Sequence, residues 1–314
     1  MTGAVLVPAA AADGTRLACW DFGTGLPPGA PPVLLVHGAG LNGLSWAPLA
    51  DRCASRGLRC VALDMRAHGA SGAPGVGGLA WENFGEDVVA VVDQLGLRGA
   101  LGAGHSAGAS ALLLAEQARP GTLGAIWAWE PIMAVPGDNL RHVRGPELAA
   151  RARRRRRHFS SIEEARDHFA GRGLFSDFSA EALEGYLQGG LRPAAGAGLT
   201  LSCRPQDEAA IYEGGGAHDA WAALAGLRCP LRLVGGGASP AVPPPELARI
   251  RAEVPGSEVQ VYPGLGHFGP FQQPTVAADD IVRWHHRLQA AGGPTTRSHT
   301  GDGPPPVSGP LGSL

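Results

Sequence analysis

The 314-residue chain has no lysine: all 26 of its basic residues are arginine. Alongside so much Ala, Gly and Pro, this points to a GC-rich coding bias and carries no function of its own. Cysteine is scarce and odd in number. Cys19, Cys53, Cys60, Cys203 and Cys229 are scattered, with no C-x-x-C pair, so neither a zinc site nor a disulfide framework is indicated. Long apolar runs are missing too. None approaches the roughly 18 residues of a membrane-spanning helix, and residues 1–13 lack the basic start of a signal peptide. Net charge is only −2, so no surplus of one sign favours nucleic acid or a membrane surface. These absences predict a cytoplasmic protein with no metal, cofactor, nucleic-acid or membrane partner. They leave homo-oligomerisation open.

What is present is a chain long enough to bury a full core, 44% hydrophobic and 17% charged. Short apolar strands alternate with helical segments. Leu17–Phe22, Val33–Val36, Arg59–Asp64, Gly124–Trp129, Leu231–Val234 and Glu258–Tyr262 read as strands. Trp46–Arg56, Asn83–Leu95, Ser106–Arg119, Pro244–Val254 and Val276–Gln289 read as helices. The alternation predicts a doubly wound, mostly parallel α/β sheet. Between about Pro131 and Leu227 it stops. That stretch is charged, helical and without a clear strand, so it reads as an inserted cap. The expected organisation is a core of residues 1–131 and 228–291, a helical cap of residues 132–227, and a Pro/Gly-rich tail of residues 292–314.

The densest signal is Gly104-His105-Ser106-Ala107-Gly108, a G-x-S-x-G placed where a strand should turn into a helix. Such a corner lifts a serine hydroxyl clear of the backbone, and its glycines allow the bend. Three further motifs surround it. Val36-His37-Gly38-Ala39-Gly40 follows an apolar strand, and the N–H groups of Ala39 and Ala107 could together hold a developing oxyanion. Asp64-Met65-Arg66-Ala67-His68-Gly69-Ala70-Ser71-Gly72 lies at a strand end. Gly264-Leu265-Gly266-His267-Phe268-Gly269-Pro270 follows the last strand, where a general base would be displayed.

In family order and at family-like spacing, these motifs resemble a capped α/β-hydrolase over about residues 15–290. The resemblance implies Ser106 as nucleophile, His267 as base, and Ala39 and Ala107 as oxyanion donors. It breaks at the third member of the triad. Most relatives carry an Asp after the strand Leu231–Val234, yet this chain runs Gly235-Gly236-Gly237-Ala238-Ser239, with no Asp or Glu from Ala220 to Pro245. A neutral Ser239 cannot offset an imidazolium. Glu130 ends the strand next to the nucleophile strand, and some families of this fold place their acid there. Among them are a haloalkane dehalogenase subgroup and the zearalenone-type lactone hydrolases, which this chain also resembles at the vacated position. The assignment is therefore Ser106, His267 and Glu130. It implies a serine hydrolase of the carboxylesterase or lactonase class, acting on a lactone (zearalenone-like ones included) or a hydrophobic ester. A carbon–carbon bond hydrolase, a thioesterase and a non-catalytic receptor remain as alternatives.

Other features have blander readings. His37 and His68 are expected to orient loops and His105 to pack under the elbow. The pair His285-His286 is expected on the surface of the last helix. Six arginines between Arg151 and Arg157 read as a solvated cap-helix face. The cap aromatics Phe159, Phe169, Phe175, Phe178, Tyr186, Tyr212 and Trp221 are expected to form mostly cap core.

Overall fold

The computed structural model describes residues 3–75, 77–136 and 140–292, with backbone alone at residues 140–144. In chain order the elements are β1 (Val5–Ala10), β2 (Arg16–Asp21), β3 (Pro32–Val36), α1 (Ala47–Ala54), β4 (Arg59–Asp64), α2 (Trp81–Gln94), β5 (Leu101–His105), α3 (Ala107–Ala118) and β6 (Ala125–Trp129). The segment that follows holds α4 (Leu140–Arg153), β7 (His158–Phe159), α5 (Ile162–Phe169), α6 (Ala180–Gly190), β8 (Leu191–Pro193), β9 (Leu199–Leu201), α7 (Pro205–Gly214) and α8 (Ala220–Ala223). The chain then returns through β10 (Leu231–Gly236), α9 (Pro244–Glu253), β11 (Glu258–Tyr262), α10 (Gly269–Gln272) and α11 (Pro274–Ala290).

Eight strands form one sheet in the order β1-β2-β4-β3-β5-β6-β10-β11. Its pairings from β4 to β11 are parallel, and β2 runs antiparallel to β4 and to β1. The inner strands are buried on both faces, which the period of two makes visible. Leu34, Val36, Ile126 and Ala128 pack towards α2, α3 and α9. Val33, Leu35, Ala103 and Trp127 pack towards α1 and α11. Helices thus cover both sides, as a mainly parallel sheet requires. All the strands that carry site residues end at one edge, and the site lies there.

The structure corrects several expectations. Strand β1 has no counterpart in the pattern reading, because its residues are half exposed at the sheet edge. The inserted segment contains a three-stranded antiparallel sheet, β7-β9-β8. Those strands are only two or three residues long, too short to leave a period of two. His285 is buried, because α11 turns that side of itself inward. The arginine run does not lie uniformly in solvent: the Arg155 side chain is only 16% exposed and pairs with Glu208. Of the expected tail, residues 293–314 lie outside the described residues. Among the described residues, no helix is long and apolar enough to cross a membrane.

Candidate active site

Ser106 occupies the corner between β5 and α3 at φ 56° and ψ −121°. That backbone region costs a non-glycine residue about 1–3 kcal/mol, and tight packing holds it. A Cβ on Gly104 would sit 2.5 Å from the Ala109 Cα, and one on Gly108 would overlap the carbonyl oxygens of Val36 and His37. Both glycines of the pentapeptide are therefore dictated by backbone contact. The Ser106 N–H donates to the Trp129 carbonyl at 2.9 Å. This ties the corner to the end of β6.

Glu130 is the next residue along, fully buried and itself at φ 46°. Its N–H donates to the Val234 carbonyl at 2.9 Å. Its carboxylate accepts three hydrogen bonds: from the Gly236 N–H at 2.8 Å, the Ser239 hydroxyl at 2.6 Å and His267 Nδ1 at 2.6 Å. A carboxylate oxygen accepts, so His267 donates from Nδ1 to Glu130 and leaves Nε2 on the far side of the ring. The glycine run that replaces the usual Asp makes this geometry feasible. A Cβ at Gly235 would lie 3.3 Å from Glu130 Cγ, and one at Gly236 would overlap the Leu265 carbonyl. Side chains there would push Glu130 and the His267 loop apart.

His267 lies on the loop between β11 and α10. Its carbonyl accepts from Trp129 Nε1 at 2.8 Å and from His105 Nε2 at 3.1 Å. Its ring lies 4.7 Å from that of His105, the residue before Ser106. Trp129 and His105, the latter next to Ser106, thus hold the His267 backbone from two sides. Among the described residues His105 Nδ1 is buried without a hydrogen-bond partner, and burial pushes His105 well below the ordinary histidine range.

The loop Gly38–Gly40 closes the cluster. A Cβ on Gly38 would sit 2.7 Å from His105 Nδ1 and 3.1 Å from Ser106 Cβ, so the backbone just before Ala39 passes close to the Ser106 corner. His37 donates from Nδ1 to the Gly38 carbonyl at 2.8 Å and accepts the Met65 N–H on Nε2 at 3.0 Å. His68 accepts the Gly40 N–H on Nε2 at 3.0 Å and donates from Nδ1 to the Arg66 carbonyl at 3.0 Å. Burial holds both rings neutral, with pKa values below the ordinary range. Arg66 anchors that stretch through two bonds to Asp87 at 2.7 and 2.6 Å. Ala107 opens α3, and a first-turn N–H has no partner within its own helix.

At this edge of the doubly wound sheet the structure joins His267 to Glu130, sets the ring of His105, the residue before Ser106, against that of His267, and places Gly38, the residue before Ala39, against the Ser106 corner. The sequence profile of the alpha/beta hydrolase family matches residues 33–280. The chain belongs to that family. Among the hydrolase's curated relatives, a non-heme haloperoxidase of Rhodococcus erythropolis is 36% identical over 98 residues, covering 31% of this chain and 34% of that protein. A non-heme chloroperoxidase of Streptomyces lividans is 33% identical over 131 residues, or 40% and 46% of the two chains. A bifunctional esterase/perhydrolase of Acinetobacter calcoaceticus is 35% identical over 96 residues, or 31% and 33%. The chain thus spans less than half the length of these relatives. Two solved structures are similar over nearly the whole length. E-2-(acetamidomethylene)succinate hydrolase has a TM-score of 0.78 at 23% identity, covering 90% of this chain and 99% of that one. A thermophilic esterase from Thermogutta terrifontis has a TM-score of 0.67 at 26% identity, covering 91% and 98%.

Two features of the cluster had no role in the sequence reading. Ser239 reads as a neutral remnant at a vacated position, yet its hydroxyl supports Glu130. Trp129 reads as a strand residue, yet its indole fixes the His267 carbonyl. The one sequence signal for this support was the run Gly235-Gly236-Gly237, which makes room for it.

Proposed function

We propose that this α/β hydrolase is a cofactor-free serine hydrolase cleaving a carboxylic ester or lactone through an acyl-enzyme. The observation that carries the reading is the 2.6 Å bond from a buried Glu130 carboxylate to His267 Nδ1, with Ser106 at the adjoining corner. In the first half-reaction His267 Nε2 takes the Ser106 Oγ proton and Oγ attacks the carbonyl carbon. The Ala39 and Ala107 N–H groups stabilise the oxyanion. The C–O bond to the alcohol breaks, and that oxygen leaves with the proton from His267. In the second half-reaction His267 deprotonates water, which attacks the acyl carbon and releases the acid and Ser106. Glu130 holds the tautomer and offsets the transient imidazolium.

The presence of an esterase among both the curated relatives and the structural neighbours supports ester chemistry. Lactones, zearalenone-like ones included, remain the proposed substrate class within it. Aromatics reaching from the cap to the base loop favour an apolar acyl or ring portion: Phe178 stacks on Phe271 at 5.3 Å and lies 5.7 Å from Phe268. A panel of p-nitrophenyl esters and lactones tests the reading, with mass spectrometry for addition of one water. Turnover abolished by Ser106→Ala supports it. Retention of more than about a tenth of wild-type turnover would remove Ser106 from the mechanism.

A further inference from the structure

The arginine run of α4 and the loop after it has one consequence outside the catalytic cluster. A pocket of about 380 Å³ opens in the inserted segment, lined among the described residues by Arg151, Arg155, Arg156, Arg172, His168 and a single carboxylate, Glu208. Its remaining walls include Leu148, Leu174 and Phe169. Arg156 is paired with Glu164 outside the pocket. Arg155 pairs with Glu208 at 2.5 Å and donates to the Tyr186 hydroxyl at 2.8 Å. A guanidinium has five N–H donors, so these two bonds do not exhaust it. Among the described residues, Arg151 and Arg172 have no carboxylate partner. The field at this place is therefore positive. His168 is held below its ordinary range, first by burial and then by Arg156, Arg172 and Arg155.

The pocket floor also touches the catalytic loop. A Cβ on Gly40 would lie 2.5 Å from Glu208 Oε1 and 3.1 Å from the Arg155 guanidinium. Gly40 is the residue after the oxyanion donor Ala39. Arg155 thus bridges a cationic, apolar-walled pocket and the loop that faces the scissile carbonyl. Guanidinium forks match planar carboxylates, and charge-assisted bonds of this kind are the strong ones.

We propose that this pocket seats a second, ionised carboxylate carried on an aliphatic arm of the substrate, so that the enzyme prefers acidic esters or lactones to neutral ones. The proposal rests on the serine-hydrolase reading for the scissile bond and adds the substrate's charge. Arg151 and Arg172 are exposed and have no carboxylate partner among the described residues, so replacing them strands no buried partner there; replacing Arg155 would leave Glu208 uncompensated.

The test compares p-nitrophenyl butyrate with the p-nitrophenyl half-ester of glutarate in wild type, Arg172→Gln and Arg151→Gln. The wild-type kcat/KM ratio should favour the half-ester, and each substitution should lower that ratio about ten-fold, the size of one charge-assisted contact of about 1.4 kcal/mol. An unchanged ratio, or an equal loss on both esters, overturns the proposal. A second arm titrates glutarate calorimetrically into Ser106→Ala, alone and combined with Arg172→Gln. Binding weakened several-fold by the arginine change supports the pocket, and absent or unaltered binding rejects it. Weakened glutarate binding with an unchanged ester ratio rejects the substrate arm in favour of a separate carboxylate ligand. If wild type cleaves neither ester, the hydrolase reading fails, and the calorimetric arm still decides the pocket.

Discussion

Ser239 sits beside the Glu130 carboxylate, its hydroxyl 2.6 Å from Oε2. It is neutral and cannot replace a triad carboxylate, but its hydroxyl supplies one of three hydrogen bonds to Glu130. Glu130→Gln keeps one oxygen for Gly236 and turns an NH₂ towards His267, which favours the wrong imidazole tautomer. It should lower kcat by about 10²–10⁴-fold, as loss of a triad carboxylate does elsewhere. Ser239→Ala leaves the carboxylate in place and should cost only about three- to ten-fold, in line with one lost hydrogen bond of roughly 1 kcal/mol. Ser239 Oγ and His267 Nδ1 both reach Glu130 Oε2 at 2.6 Å. Ser239→Asp in the Glu130→Gln background should therefore recover part of the loss. Steady-state kinetics of the four proteins checks the order. Equal losses in Ser239→Ala and Glu130→Gln would contradict it.

At the scale of elements, the support for the base is the end of β10 against the loop after β11. A Cβ at Gly236 would collide with the carbonyls of Leu265 and Gly266, whereas one at Gly226 meets nothing within 4 Å. Gly236→Ala should destabilise the protein by about 1–3 kcal/mol and lower kcat by displacing His267. Gly226→Ala should do neither. Thermal unfolding with matched kinetics reads both, and a harmless Gly236→Ala would show that the loop is not held there. The same elements show what was legible in the sequence. The inner strands were legible because burial on both faces writes continuous apolar runs, as in Val33–Val36. The elbow and the loops of His37 and His267 were legible because close backbone approach demands glycine. Strand β1 and the two- and three-residue strands after α4 left no pattern, being short or half exposed. The inward turn of Arg155 was hidden because its partner Glu208 lies 53 residues away.

At the scale of the whole molecule, buried neutral histidines set the acid limit of stability. His37, His68 and His105 are 0–1% exposed and burial lowers the pKa of each. Below about pH 6.5 the unfolded chain binds protons at these positions and the folded chain does not. Stability is thus fully present above pH 6.5 and falls as pH drops, by on the order of 1 kcal/mol per histidine per pH unit. Asp64 acts in the opposite sense, its pKa raised to about 6 by burial, so it offsets part of the loss only below that pH. Between pH 7 and 6 these histidines should dominate. Urea unfolding midpoints at pH 7.5, 6.5 and 5.5 should fall in that order, and a flat or rising series would show that these rings are not held neutral.

In the proposed reaction a Glu130–His267 pair activates Ser106. That activation is tested most directly by the rate at which an alkyl fluorophosphonate labels the intact protein, followed by peptide mass spectrometry. Wild type should take up one phosphonyl group, on Ser106, and Glu130→Gln should label at least about 100-fold more slowly. No adduct on Ser106, or labelling of Glu130→Gln at the wild-type rate, would show that this pair does not activate Ser106.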